Sequence, residues 1–126
     1  MTSDRNERRR APRADARLQV DLGPGVAGDA LTVETINIGA GGVYVEVPRF
    51  IEPLTKLSLS MLIPGPTPGE NPVRVDTEAI VVRTLPEAED ASVDRYEVAC
   101  AFLDLADECR DAINRYILTH RAQAPA

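Results

Sequence analysis

Two short stretches of this sequence hold side chains whose type and spacing suggest chemistry. The first, Arg8-Arg9-Arg10-Ala11-Pro12-Arg13, places four guanidinium groups within six residues. A guanidinium is a planar, permanently charged fork that clamps phosphates in pairs of hydrogen bonds and can meet the edge of a purine. The second, Asn37-Ile38-Gly39-Ala40-Gly41-Gly42, joins an amide able to pair with a base edge to a run of glycines. Three glycines in four residues permit positive φ and leave backbone N–H groups without side-chain cover. Each stretch has a plainer reading when taken alone. The first would be a solvated basic tail, or a non-specific contact with nucleic acid. The second would be a glycine-rich hairpin turn.

No comparable set of catalytic or metal-binding residues is present. His120 is the only histidine, with no recognisable nucleophile motif near it, and it reads as a partly buried helix residue. Cys100 and Cys109 form no CxxC pair and read as reduced core residues, which leaves no zinc site. Asp104, Asp107, Glu108 and Asp111 read as a helix cap and a solvated helix face. Gly39-Ala40-Gly41-Gly42 lacks the spacing of a phosphate loop and has no helix after it. Tryptophan is absent and aromatic residues make up 4%, too few for a base-stacking platform. The enzyme class therefore fails on inventory, and no cofactor is expected.

The charge is unevenly spread. Residues 1–17 hold six arginines against Asp4, Glu7 and Asp15, a net of +3, whereas residues 18–126 carry a net of −9. A body of that sign repels a polyanion beyond the reach of the basic segment, so nucleic acid is not expected as a partner. No stretch approaches the roughly 18 apolar residues of a membrane span. The first residues lack the apolar core of a secretory signal, so a cytoplasmic location and no membrane partner are expected.

The elements that must position these residues follow from periodicity. Residues 1–15 contain almost nothing to bury and read as a flexible basic N-terminal arm. Alternating apolar residues predict strands over 17–22, 31–37, 43–47 and 56–61. A long strand is expected over 73–84, with a shift of phase near Ala79-Ile80 that suggests a bulge. The last strand carries Tyr96, Val98, Cys100 and Phe102 on one face. The turn residues Gly23, Pro24, Gly25 and Gly28 separate the first two strands, and four prolines make residues 64–72 a loop tip. Cys109, Ile113, Tyr116, Ile117 and His120 then follow helical spacing, predicting a helix over 105–121 with Asp104 as its cap. Six strands and a closing helix point to a small antiparallel barrel or sandwich covering residues 16–122, the chain's single domain.

Taken together, the two stretches resemble the pattern of the PilZ domain family. An RxxxR element, here Arg9 to Arg13 with Arg8 before it, is followed by a [D/N]xSxxG element, here Asn37 to Gly42. The similarity spans residues 5–121, including the Gly41-Gly42-Val43 ending and the terminal helix. It implies a mainly β fold, a six-stranded antiparallel split barrel with a C-terminal helix. It also implies a bacterial receptor for cyclic di-GMP that relays the signal to an effector protein. By that resemblance Arg8, Arg9 and Arg13 would bind phosphate and the guanine Hoogsteen edge, a favourable bidentate geometry. Asn37 would contact the ligand's other side, with Gly39 and Gly42 in the turn. One position departs from the pattern, because Gly39 stands where the family has serine. A missing hydroxyl contact costs about 0.5–1.5 kcal/mol, roughly a 2- to 13-fold loss of affinity. The alternative is a degenerate PilZ module that binds no nucleotide and serves as a protein–protein adaptor.

Overall fold

The structure, a computed structural model, describes residues 13–23, 30–65, 67 and 69–123. Arg8 and Arg9, with most of the expected 1–15 arm, lie outside the described residues, as do Pro24, Gly25 and Gly28. The elements are β1 (Arg13–Ala14), β2 (Gln19–Leu22), β3 (Leu31–Gly39), β4 (Gly42–Val47), β5 (Lys56–Ile63), β6 (Val73–Leu85), β7 (Tyr96–Leu103) and α1 (Asp107–Gln123).

Every strand pairing is antiparallel. The order β3-β2-β5-β6-β7-β4 closes on itself through a β4–β3 ladder, giving a six-stranded barrel. The fold is thus the mainly β barrel with a C-terminal helix expected from the sequence, with one strand added. That strand, β1, lies outside the closed ring and pairs with the end of β3, Arg13 opposite Gly39 and Ala14 opposite Ile38. Two residues are too few to show periodicity.

Alternate side chains of each strand fill the barrel, as period-2 geometry requires. Val20, Leu22, Val45, Val47, Leu59, Ile63, Val75, Val81 and Val98 are all buried, and Ile113 and Ile117 of α1 join the same core. The helix packs against β1, β3, β5 and β6. It starts two residues later than the expected 105–121, because Leu105 is buried beneath it and Ala106 O accepts the first helical hydrogen bond, from Arg110 N at 2.9 Å. Asp104, read as the cap, instead takes the left-handed conformation (φ 54) that ends the strand-to-helix turn.

Two bulges change the phase of strands. In β6 the register with β7 shifts between Val81 and Arg83, at Val82 and not at Ala79-Ile80 as the alternation suggests. In β3 the register with β4 shifts between Thr35 and Asn37, a bulge at Ile36 where the apolar residues pass from odd positions (Leu31, Val33) to even ones (Ile36, Ile38). Val33 and Thr35 point inward, so an unbroken strand would also bury Asn37. The bulge makes Ile38 the inward residue and turns Asn37 outward. Val82 does the same for β6, since Val81 and Thr84 are buried while Arg83 between them is exposed.

Candidate functional site

The chain from β1 to β2 is fixed from within the barrel. Thr35 is fully buried, and its Oγ1 donates to Ala16 O while accepting from Leu18 N at 2.9 Å. Thr35 N also donates to Leu18 O at 2.8 Å. Ala14 and Ala16 are buried on the same crossing. Between these two alanines, Asp15 O lies 3.0 Å from His120 Nε2, whose ring stacks on Tyr116 at 5.6 Å. These contacts set β1 against β3 and carry Arg13 to the outer face of the barrel.

There the two sequence stretches meet. Arg13 donates from Nε and Nη2 to Asn37 Oδ1, at 2.9 and 2.6 Å, and from Nη2 to Gly42 O at 3.3 Å. Gly39 lies between them, paired with Arg13 on one side and Gly42 on the other. Of the residues expected to bind ligand, the structure therefore brings together Arg13, Asn37, Gly39 and Gly42. Desolvation holds the Arg13 guanidinium below its ordinary pKa, an effect that nearby Tyr44 partly offsets. An arginine so shifted remains cationic at neutral pH.

The glycines act differently from the sequence expectation. The described glycine with positive φ is Gly69, so the Asn37–Gly42 segment does not rely on left-handed backbone. The turn is Ala40-Gly41 alone, and Gly42 is required by close approach: a Cβ there would stand 2.0 Å from Cys100 O on β7.

Arg13, Asn37, Gly42 and Tyr44 line one wall of a cavity of about 690 Å³, and Val82, Arg83, Ala99 and Ala101 line the other. Its depth comes from small side chains, since Gly42 pairs with Ala101 and Tyr44 with Ala99. Tyr44 meets an arginine from each wall. The Arg13 Cζ lies 6.0 Å from the centre of its ring, and Arg83 Nη2 donates to its hydroxyl at 3.0 Å. That hydrogen bond, above all, raises the Arg83 pKa. Sequence reasoning missed Tyr44 and Arg83. A signal for Tyr44 was available, because it is the outward residue between Val43 and Val45.

Cys100 and Cys109 are buried free thiols, and burial pushes Cys100 up to about 12. Among the described residues, no group of three or more His, Cys, Asp or Glu is placed to hold a metal ion. Nor is any described helix long and apolar enough to cross a membrane.

Comparison with known proteins identifies the family and the fold. Residues 7–119 match the PilZ domain, which is most of the chain. The chain therefore belongs to the PilZ domain family, a family of cyclic di-GMP receptors that are binding and adaptor domains. No curated protein matches it. Among solved structures, it is similar to the inhibitor of motility MotI/DgrA of Bacillus subtilis, with a TM-score of 0.74 and 21% sequence identity. That match covers 93% of this chain and 53% of the other, so the chain spans about half the length of that neighbour. At this identity the likeness is one of fold.

Proposed function

We propose that this chain is a cyclic di-GMP receptor that passes the signal to a protein partner. The observation that carries the reading is the Arg13–Asn37–Gly42 clasp at the lip of the cavity, where both sequence stretches meet. Arg13 would exchange Asn37 Oδ1 for a phosphate or a guanine O6/N7 edge, and the freed amide would turn to the ligand. Arg8 and Arg9 would close over the same cavity from the preceding segment. Engagement of those arginines by the ligand would change the surface that an effector protein reads. The structural neighbour is named as an inhibitor of motility, which fits action through another protein.

A second reading, a nucleotide-free adaptor, has two observations in its favour. Gly39 offers no hydroxyl, and Asn37 Oδ1 is already engaged by Arg13. Calorimetric titration with cyclic di-GMP separates the two. The receptor reading expects saturable heat that Arg13→Ala or Arg9→Ala largely abolishes. Absence of heat at high micromolar ligand leaves the adaptor, whose partner should still be captured by the Arg13→Ala protein.

A further inference from the structure

Arg83 and Tyr44 have no part in the family's two motifs, yet the register places them in the same cavity. Asn37 pairs with Tyr44 across β3–β4, Tyr44 with Ala99 across β4–β7, and Ala99 with Arg83 across β7–β6. These four residues form one cross-strand row on the outer face. Ala99 contributes only a methyl group, so Arg83 reaches over it to the Tyr44 hydroxyl. The tyrosine ring thus stands between two guanidinium groups, Arg13 on one side and Arg83 on the other.

Their partners differ from those of three other arginines of the barrel. Arg17, Arg74 and Arg95 each face a carboxylate, Glu34 at 3.8 Å, Asp76 at 2.7 Å and Glu46 at 3.3 Å. Arg13 and Arg83 instead donate to neutral oxygens, those of Asn37, Gly42 and Tyr44. No carboxylate is among the residues that line the cavity, although the chain has 20 acids and a net charge of −6. Glu87 adds a smaller attraction to Arg83 but does not line the cavity. Two cations thus share one concave surface without a lining anion. The hydrogen bond to Tyr44 uses one of the five N–H donors of Arg83 and fixes the direction of the fork.

We infer that Arg83, steadied by Tyr44, is a second anion contact of this cavity. It takes the second phosphate of a cyclic dinucleotide while Arg13 engages the other half of the ligand. The inference rests on the receptor reading above. It explains why the Val82 bulge turns an arginine outward at this position, where an unbroken strand would bury it.

The test is calorimetric titration of cyclic di-GMP into the wild-type protein and the Arg83→Ala, Arg83→Lys and Tyr44→Phe variants, at low and at physiological salt. Loss of a charge-assisted contact predicts a 10- to 150-fold weaker Kd for Arg83→Ala, by about 1.5–3 kcal/mol at 1.4 kcal/mol per tenfold. Arg83→Lys, which keeps the charge, should recover part of that loss. Tyr44→Phe, which keeps the ring and both guanidiniums, should stay within about threefold of wild type if the phosphate is held by Arg83 directly. The salt dependence of binding should be shallower for Arg83→Ala than for wild type, because one ionic contact is gone. Equal losses in Tyr44→Phe and Arg83→Ala would overturn the inference, by showing that Arg83 serves only to hold the ring. Undiminished binding by Arg83→Ala would overturn it while leaving the receptor reading intact. A wild-type protein that gives no heat would overturn both.

Discussion

Replacing Gly42 with alanine probes the tightest point of the site. A Cβ on Gly42 would lie 2.0 Å from Cys100 O and 3.1 Å from Ala101 Cα, where ordinary contact begins at 3.4 Å. The obstacle is backbone, so no side-chain rotation relieves it. β4 and β7 must part by more than an ångström at the head of a ladder that runs from Gly42–Ala101 to Val47–Tyr96. The Phe102 N to Gly41 O bond at 2.9 Å would be strained with it. Overpacking of this kind costs about 2–3 kcal/mol. For a domain of this size that lowers Tm by roughly 8–12 °C. Gly41→Ala is the matched control. Nothing lies within 4 Å of its Cβ position and its φ is not positive, so the change should be neutral or slightly stabilising through the unfolded chain. Thermal and urea denaturation of both variants measures the contrast. The Gly42 carbonyl also accepts from Arg13, so Gly42→Ala should weaken cyclic di-GMP binding as well. If Gly42→Ala melts with the wild type, or if both variants fall alike, the close-approach explanation is refuted.

Other consequences follow from neighbouring residues. Thr35→Val keeps the shape but strands Ala16 O and Leu18 N in the interior. It should cost about 2–4 kcal/mol by urea denaturation, and it should weaken ligand binding by loosening the segment that carries Arg13. Gly39→Ser restores the hydroxyl of the family pattern, and calorimetry should find cyclic di-GMP binding equal or up to about tenfold tighter. Cys100 should resist thiol reagents in the native protein at pH 8 and react at full rate in denaturant. Its folded pKa is raised, so the native state keeps a proton that the unfolded chain gives up above about 9. Its linkage contribution is therefore constant below pH 9 and falls as pH rises toward 12. A Cys100→Ser or Cys100→Ala protein should show a flatter decline in that window.

The sequence made the barrel readable because its strands bury one face, so Val43, Val45 and Val47, or Leu57, Leu59 and Met61, announce themselves by alternation. The clasp was readable in part because the order and spacing of the two arginine and asparagine motifs are local. What lay beyond reach depends on register. The β1 strand is too short for any period, and although the apolar residues of β3 change phase between Val33 and Ile36, that change does not say which residue Asn37 meets across the sheet. The outward turn of Asn37 and Arg83, and their meeting with Tyr44 in one row, depends on bulges in strands far apart in the chain. The phase change of β6 was visible, but the stretch Ala79-Ile80-Val81-Val82 is apolar throughout, so alternation could not place the bulge at Val82. Likewise Asp104 has the side chain of a helix cap, yet burial of Leu105 decides where the helix starts.

The central claim is that cyclic di-GMP occupies the cavity between Arg13 and Arg83. Its most direct test is a backbone-amide NMR titration of the full chain with cyclic di-GMP. The account predicts saturable shifts at Arg13, Asn37, Gly41, Gly42, Tyr44 and Arg83, with the distant β5–β6 hairpin around residues 64–72 unmoved. A spectrum that does not change, or shifts confined to that hairpin, would contradict it.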